Sequence, residues 1–417
     1  MSPCTDEEIR PQEMPPALSQ RVIWLFAVAC GVSVANVYLA QPLLDSMAHD
    51  LAIDPAVIGI VMTLTQIGYA LGLIFIVPLG DLIDRRRLIL GQTVLSAIAL
   101  AVVGLVQNAV VVLIALVAVG LLAVVVQVLV AFTATLAAPA SRGRAVGTVT
   151  SGVVIGILLA RVFAGALADF GGWRLVYLVS AGLMLSLAVL LNHAMPAHRQ
   201  PRGAASYTAL LRSTAMLFVE EPLLRLRATF ALLTFAAMNV FWSSIVLLLS
   251  SPPWSLPHSA IGLLGLAGVA GALAASSAGR LADRGFATVV TGGALILMLA
   301  SWAPLALAPS SMLALIVGVI VIDLAVQAVH VTNQSLIFAA RPEAHSRLVG
   351  GYMVFYSIGS ACGSISSTFI YARAGWYGVC ALGAAISACA LVLWVFTTLR
   401  RRRSTSECPG TPATAGN

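Results

Sequence analysis

Gly80-Asp81-Leu82-Ile83-Asp84-Arg85-Arg86-Arg87 is a short charged turn set between two long apolar runs, roughly 58–79 and 88–106. A helix that spans a bilayer needs about 20 mostly apolar residues, and each run is long enough. Five charges therefore sit in one tight loop at a membrane surface. The same device returns as Gly279-Arg280-Leu281-Ala282-Asp283-Arg284-Gly285. Aligning Gly80 with Gly279 sets Leu82 on Leu281, Asp84 on Asp283 and Arg85 on Arg284. A charged turn that occurs twice between membrane helices points to an all-α membrane protein with an internal repeat.

Composition agrees. The chain has 417 residues, 60% of them hydrophobic and 9% charged. Soluble domains are nearer 45–50% apolar and about 25% charged, so most of this surface must face lipid. All 23 basic residues are arginine, and 20 of them lie in the tails or in loops on the side of the N-terminus. Only Arg161, Arg174 and Arg373 do not. This positive-inside asymmetry puts both ends in the cytoplasm, as expected of a multi-pass protein of the inner (plasma) membrane. It also explains the net charge of +7 without nucleic acid, which would need a basic face on a soluble domain. The six cysteines form no CxxC pair and read as small apolar residues or free thiols, with no metal site, disulfide framework or cofactor. The acidic, polar start is unlike a cleaved signal peptide, so the first apolar run is expected to stay as a helix.

Twelve apolar runs follow one another, at about 22–41, 58–79, 88–106, 110–138, 146–168, 174–194, 228–250, 260–279, 287–307, 312–340, 348–371 and 376–398. The expected organisation is a disordered tail (1–20), a six-helix bundle (21–195), a cytoplasmic linker (196–227) with a surface helix in 207–219, a second six-helix bundle (228–399) and a basic, polar tail (400–417). The repeat extends beyond the charged turn. Pro139, Arg144, Gly147, Gly156 and Trp173 match Pro342, Arg347, Gly350, Gly359 and Trp376 at a constant offset of 203, and Gln127 corresponds to Gln327. A parallel six-plus-six repeat with a long central linker is the signature of a two-bundle transporter.

The charged turn, its copy and the twelve runs together resemble the major facilitator superfamily over residues 20–400. The family's turn runs Gly-x-Leu-x-Asp-Arg-x-Gly-Arg. Gly80, Leu82, Asp84 and Arg85 match it, while Arg87 and Leu88 stand where glycine and arginine are usual. The resemblance implies twelve transmembrane helices in two pseudo-symmetric bundles, helices one, four, seven and ten around a central cavity, and a single chain as the working unit. It also implies a gating latch of Gly80, Asp84 and Arg85, echoed by Gly279, Asp283 and Arg284, that favours the outward-facing state. Physically, a glycine at a helix end tolerates close approach, and Asp84 could accept hydrogen bonds from a neighbouring helix N-terminus. A contact made in one state and broken in the other sets a two-state equilibrium. Gly152-x-x-x-Gly156-x-x-x-Ala160, then Gly165, is similar to the fifth helix of the drug/metabolite–proton antiporter branch, and reads either as that marker or as close helix packing. The branch's proline is replaced by Ile157, and its arginine in helix four has no counterpart.

Ionisable groups at bilayer depth are costly and rare, so each is a functional candidate. Run ten holds Asp323, Gln327, His330 and Gln334 at a spacing that shares one helix face, with Asn333 beside them. Asp323 lies about 16 Å from the run's outer end at about 1.5 Å per residue, near mid-depth. An aspartate or histidine there could take up and release a proton. Arg161 is the second candidate, either snorkelling, paired with Asp323 or capturing an anionic cargo group. Asn36, Tyr38 and Gln41 in run one, Gln66 and Tyr69 in run two, Asn239 and Trp242 in run seven, and Tyr352 and Tyr356 in run eleven complete a polar and aromatic set suited to small organic molecules.

The expected function is secondary active transport of a small organic molecule by alternating access, with protons as the coupling ion and efflux by antiport. The alternative on the same fold is a metabolite uniporter or a proton symporter that imports. A membrane-embedded enzyme would need a nucleophile with its base, and neither HExxH nor GxSxG is present. A non-transporting sensor on the same scaffold would bind ligand without flux.

Overall fold

The computed structural model describes residues 19–138, 141–196, 206–268, 278–340 and 345–406. Among them the chain is helical, without a strand. The first half holds α1 (Gln20–Ala35), α2 (Leu44–Asp50), α3 (Ile60–Phe75), α4 (Arg85–Leu105), α5 (Ala109–Ala123), α6 (Val125–Leu136) and α7 (Arg142–Ala194). The linker helix is α8 (Tyr207–Glu220). The second half holds α9 (Pro222–Leu249), α10 (His258–Leu263), α11 (Ala287–Ala300), α12 (Trp302–Ala306), α13 (Met312–Ala340) and α14 (His345–Ser406).

Among the described residues, eight helical segments are long and apolar enough to cross a membrane. Two of them, Arg142–Ala194 and Leu348–Arg400, have 53 residues each. An unbroken helix of that length would run about 80 Å, more than twice the ~30 Å hydrocarbon core. Glycine resolves the excess. Gly172 (φ 78°) breaks α7 and Gly375 (φ 61°) breaks α14, both in the left-handed region that glycine adopts without penalty. Each long helix is therefore two crossings. With the shorter apolar helices Gln20–Ala35 and His258–Ala267, the segments are consistent with the twelve apolar runs.

The breaks fall at repeated positions. Gly172-Trp173 and Gly375-Trp376 have the same positive-φ glycine followed by a buried tryptophan. The close approaches repeat as well. A Cβ on Gly156 would lie 2.2 Å from the Gly31 carbonyl of α1, and one on Gly359 would lie 2.1 Å from the Leu232 carbonyl of α9. The first helix of each half thus packs backbone to backbone on the fifth.

Several boundaries differ from the apolar pattern. Run one does not continue to 41. Its helix stops at Ala35, passes through a turn at 36–40, and resumes as a 3₁₀ turn (Gln41–Leu43) and α2. Pro42 has no N–H to donate to the Tyr38 carbonyl, so an unbroken helix would lose a bond there. Run seven begins early, at Pro222, because proline suits the first helical position. Arg225 and Arg227, read as linker, are helical. The 139–140, 197–205, 269–277 and 341–344 stretches and both tails lie outside the described residues.

The halves meet along two seams, α3 against α14 and α7 against α10. Gly59 N donates to Thr368 Oγ1 (3.2 Å) and Thr63 Oγ1 to the Ala361 carbonyl (2.9 Å) in the first seam. In the second, a Cβ on Gly262 would lie 2.4 Å from the Arg161 carbonyl. The glycines 152, 156 and 165 all make such close approaches, so that row serves packing.

Candidate functional site

The break after α1 lies at the seam between the halves. There Gln41 Oε1 accepts from Arg161 Nε (2.7 Å), and Gln41 Nε2 donates to Asn239 Oδ1 (3.4 Å). Asn239 Nδ2 is held in turn by the Phe235 carbonyl (3.0 Å). Arg161 is 2% exposed and Asp323 4%, so neither charge reaches solvent freely. The Arg161 guanidinium lies over the Trp242 ring, 3.8 Å from its centroid, and 5.7 Å from that of Tyr38. Trp242 Nε1 donates to Asp323 Oδ1 (3.2 Å). Arg161 and Asp323 thus make no direct ion pair. Trp242 joins them, with its face toward the cation and its N–H toward the anion. A cation over an indole face gains electrostatically from the ring quadrupole.

The polar face of α13 points into the protein. Asp323 reaches Trp242, and a Cβ on Gly268 would lie 3.0 Å from its Oδ2. About two turns further along α13, His330 Nδ1 is 2.9 Å from the Tyr352 hydroxyl. Its ring meets Phe235 edge-on at 5.2 Å between centroids. Phe235 also packs edge-on against Tyr356 at 4.0 Å, and the Tyr356 hydroxyl is hydrogen-bonded to that of Tyr38 in the other half. Gln327 and Gln334 are half-buried. Gln127 Nε2 donates to the Tyr69 hydroxyl (3.4 Å). Asn36 and Gln66 are buried, and Asn36 Nδ2 and both side-chain polar atoms of Gln66 meet no partner in the protein.

Among the described residues, the hydrogen bonds of the charged turn stay within the first half. Asp84 accepts from Arg87 N (3.2 Å) and so caps α4, the helix it begins. Arg85 donates to the Gly80 carbonyl (2.9 Å), Thr135 Oγ1 (2.7 Å) and Asp81 (3.0 Å). Each of these partners belongs to the same half. Gly80 does not serve close approach either, since a Cβ there would find its nearest atom at an ordinary 3.7 Å. The chain tightens into a 3₁₀ turn (Val77–Asp81) and leaves room. In the second copy Gly279 faces Val331, Arg284 is exposed, and the Asp283 side chain lies outside the described residues.

A helix N-terminus is instead held across the halves on the opposite face. Asp169, next to the break in α7, accepts from His258 N (3.0 Å) and Ser259 N (2.8 Å) at the start of α10. It also faces His258 Nδ1 at 3.2 Å, while His258 Nε2 is 2.7 Å from Ser46 Oγ. A carboxylate only accepts, so Nδ1 carries a hydrogen. The sequence reading missed this group, because Asp169 and His258 look like ordinary polar residues at loop ends. It also missed the buried Arg227, whose Nη1 donates to Asn333 Oδ1 (3.3 Å).

Comparison with known proteins follows the same lines. The Major Facilitator Superfamily model matches residues 26–345 and again 256–415. The "Uncharacterized transporter YgaY" of Escherichia coli O157:H7 is 43% identical over 377 residues, covering 90% of this chain and 95% of the relative. The "Probable transporter SCO4007" of Streptomyces coelicolor is 31% identical over 381 residues, covering 91% and 87%. Among solved structures, a bacterial homologue of the human lysosomal transporter Spinster, inward-facing and occupied, superposes with a TM-score of 0.73 at 14% identity, covering 94% of this chain and 98% of that one. The nucleoside transporter NupG gives 0.71 at 14% identity, covering 90% and 98%.

Proposed function

The chain belongs to the Major Facilitator Superfamily and is a transporter of that type, and from this premise we propose that it is a proton-coupled secondary transporter of a small organic molecule. One observation carries the reading. A buried arginine of the first half and a buried aspartate of the second are joined through a single indole. A pair of opposite charges split between two moving halves, with no direct ion pair, is a site whose charge balance changes when the halves move. Asp323 is the proton carrier in this reading. Gln41, Asn239, Asn36, Gln327, His330 and Gln334 complete the cargo site. The turn at Gly80, Asp84 and Arg85, with its copy at Gly279, Asp283 and Arg284, re-pairs as the molecule changes state. The protein acts as a monomer in the inner membrane with both ends in the cytoplasm.

Efflux in exchange for protons is the first reading, since the chain resembles the antiporter branch. Symport is the second reading, and the charge arrangement is the observation that supports it. An anion held by Arg161 would compete with Asp323 and draw a proton onto it. The experiment is proton-driven flux in reconstituted vesicles. Asp323→Asn is expected to abolish coupled flux while insertion and folding persist. Coupled flux at the original rate in that variant would refute Asp323 as the proton carrier. The sign of the lumenal pH change on adding cargo separates the two directions of coupling.

A further inference from the structure

Arg161 is bound on one side only. Its Nε is engaged by Gln41 and its face by Trp242 and Tyr38, but Nη2 is buried with no acceptor in the protein. A second such donor lies nearby. On parallel α1 and α7, a Cβ on Gly152 would meet the Ala27 carbonyl and one on Gly156 the Gly31 carbonyl. Asn36 ends α1 and opens the turn whose Tyr38 and Gln41 meet Arg161. Asn36 Nδ2 is also buried and also lacks an acceptor. Two buried donors, one on a cation, call for an acceptor that carries negative charge.

We propose that Arg161 and Asn36 bind the carboxylate of an organic monoanion whose body packs on Trp242, Tyr38 and Tyr356. The inference rests on the transport reading above and names its cargo class. The planar guanidinium edge matches a carboxylate, and its stacked face leaves that edge as the direction of approach. The aromatic groups around it favour an organic anion over a small inorganic one. Charge balance then assigns a role to Asp323. With a carboxylate on Arg161, the cargo and a proton on Asp323 are held together, which belongs with symport.

The test is binding, read without flux, so that it stands apart from the proton experiment. Purified protein in detergent is titrated with benzoate, benzamide and benzylamine, which share a ring and differ in charge. Aliphatic monocarboxylates, sodium chloride and inorganic phosphate at matched ionic strength complete the panel. A carboxylate is expected to raise the melting temperature and to quench tryptophan fluorescence, while its neutral and cationic counterparts do neither. Arg161→Gln is expected to weaken that binding on the order of a hundredfold. Arg161→Lys, which keeps the charge and loses the fork, is expected to fall between the two and guards against loss of folding. Binding unchanged in both variants would overturn the proposal. So would protection by benzylamine rather than benzoate, by inorganic anions alone, or by no carboxylate at millimolar concentration. If Asp323→Asn left coupled flux intact while benzoate still bound, the proton assignment would fall and the carboxylate site would stand.

Discussion

Trp242 meets two opposite charges with two different parts of one ring. Its face lies against Arg161 and its N–H against Asp323. The two contacts are separable by substitution. Trp242→Phe keeps a ring face and removes the donor, and a hydrogen bond to a charged group contributes about 1.5–3 kcal/mol. Coupled flux is therefore expected to fall about tenfold or more in vesicles, and the melting temperature to drop by a few degrees. Trp242→Ala also removes the cation–π contact, about 0.5–2 kcal/mol, and leaves a cavity, so it is expected to melt earlier as well. Equal flux in Trp242→Phe and the unmodified protein would show that the indole N–H plays no part in coupling. The two charges were legible in the sequence, because an ionisable group in an apolar run stands out against its surroundings. Their connection was not. A tryptophan inside such a run looks like any other packing residue, and nothing in its spacing names the groups at its two edges.

The matched glycines of the repeat make a sharper experiment at the level of helices. Gly156 and Gly359 each face another helix's backbone at about the same distance, while Gly147 and Gly350 each have nothing within 4 Å. Alanine at either of the first pair must push two helices apart, at a cost of about 1–3 kcal/mol. Alanine at either of the second pair meets open space and gains helix propensity worth up to about 1 kcal/mol. Gly156→Ala and Gly359→Ala are thus expected to lower the melting temperature by several degrees, and Gly147→Ala and Gly350→Ala to leave it level or raise it slightly. A uniform response at all four positions would contradict the repeated packing. These pairs could be aligned from sequence because a constant offset survives in residues as distinctive as proline and tryptophan. The helix breaks could not all be foreseen. The turn at 36–40 still holds Val37, Leu39 and Ala40, so the apolar run reads on through it. Only Pro42 marks the interruption, and proline one residue beyond a polar side chain is a weak signal for where a binding site opens.

At the scale of the whole molecule, the hydrogen bonds between the halves among the described residues gather away from the charged turn. Asp169, His258, Ser259 and Ser46 join there, between elements of both halves. The charged turn on the terminal face makes its bonds within its own half. This asymmetry describes a molecule closed on the far face, and an alternating mechanism requires that the closure be reversible. Asp169 is the group whose loss should favour opening. It receives two backbone N–H bonds and faces an imidazole, each bond to a charged group being worth about 1.5–3 kcal/mol. Asp169→Ala should therefore raise the population opened at that face by at least about tenfold. Hydrogen exchange is the measurement. Faster exchange is expected in residues 258–263, where α10 loses its external cap, and in 36–43, where the chain break would gain water. Asp81→Ala serves as the comparison, since its partner Arg85 lies on the other face and in the same half. If the two variants exchanged alike in both stretches, Asp169 would be no more than a local helix cap, and the far-face closure would have to be held by the packed seams of α3 with α14 and α7 with α10.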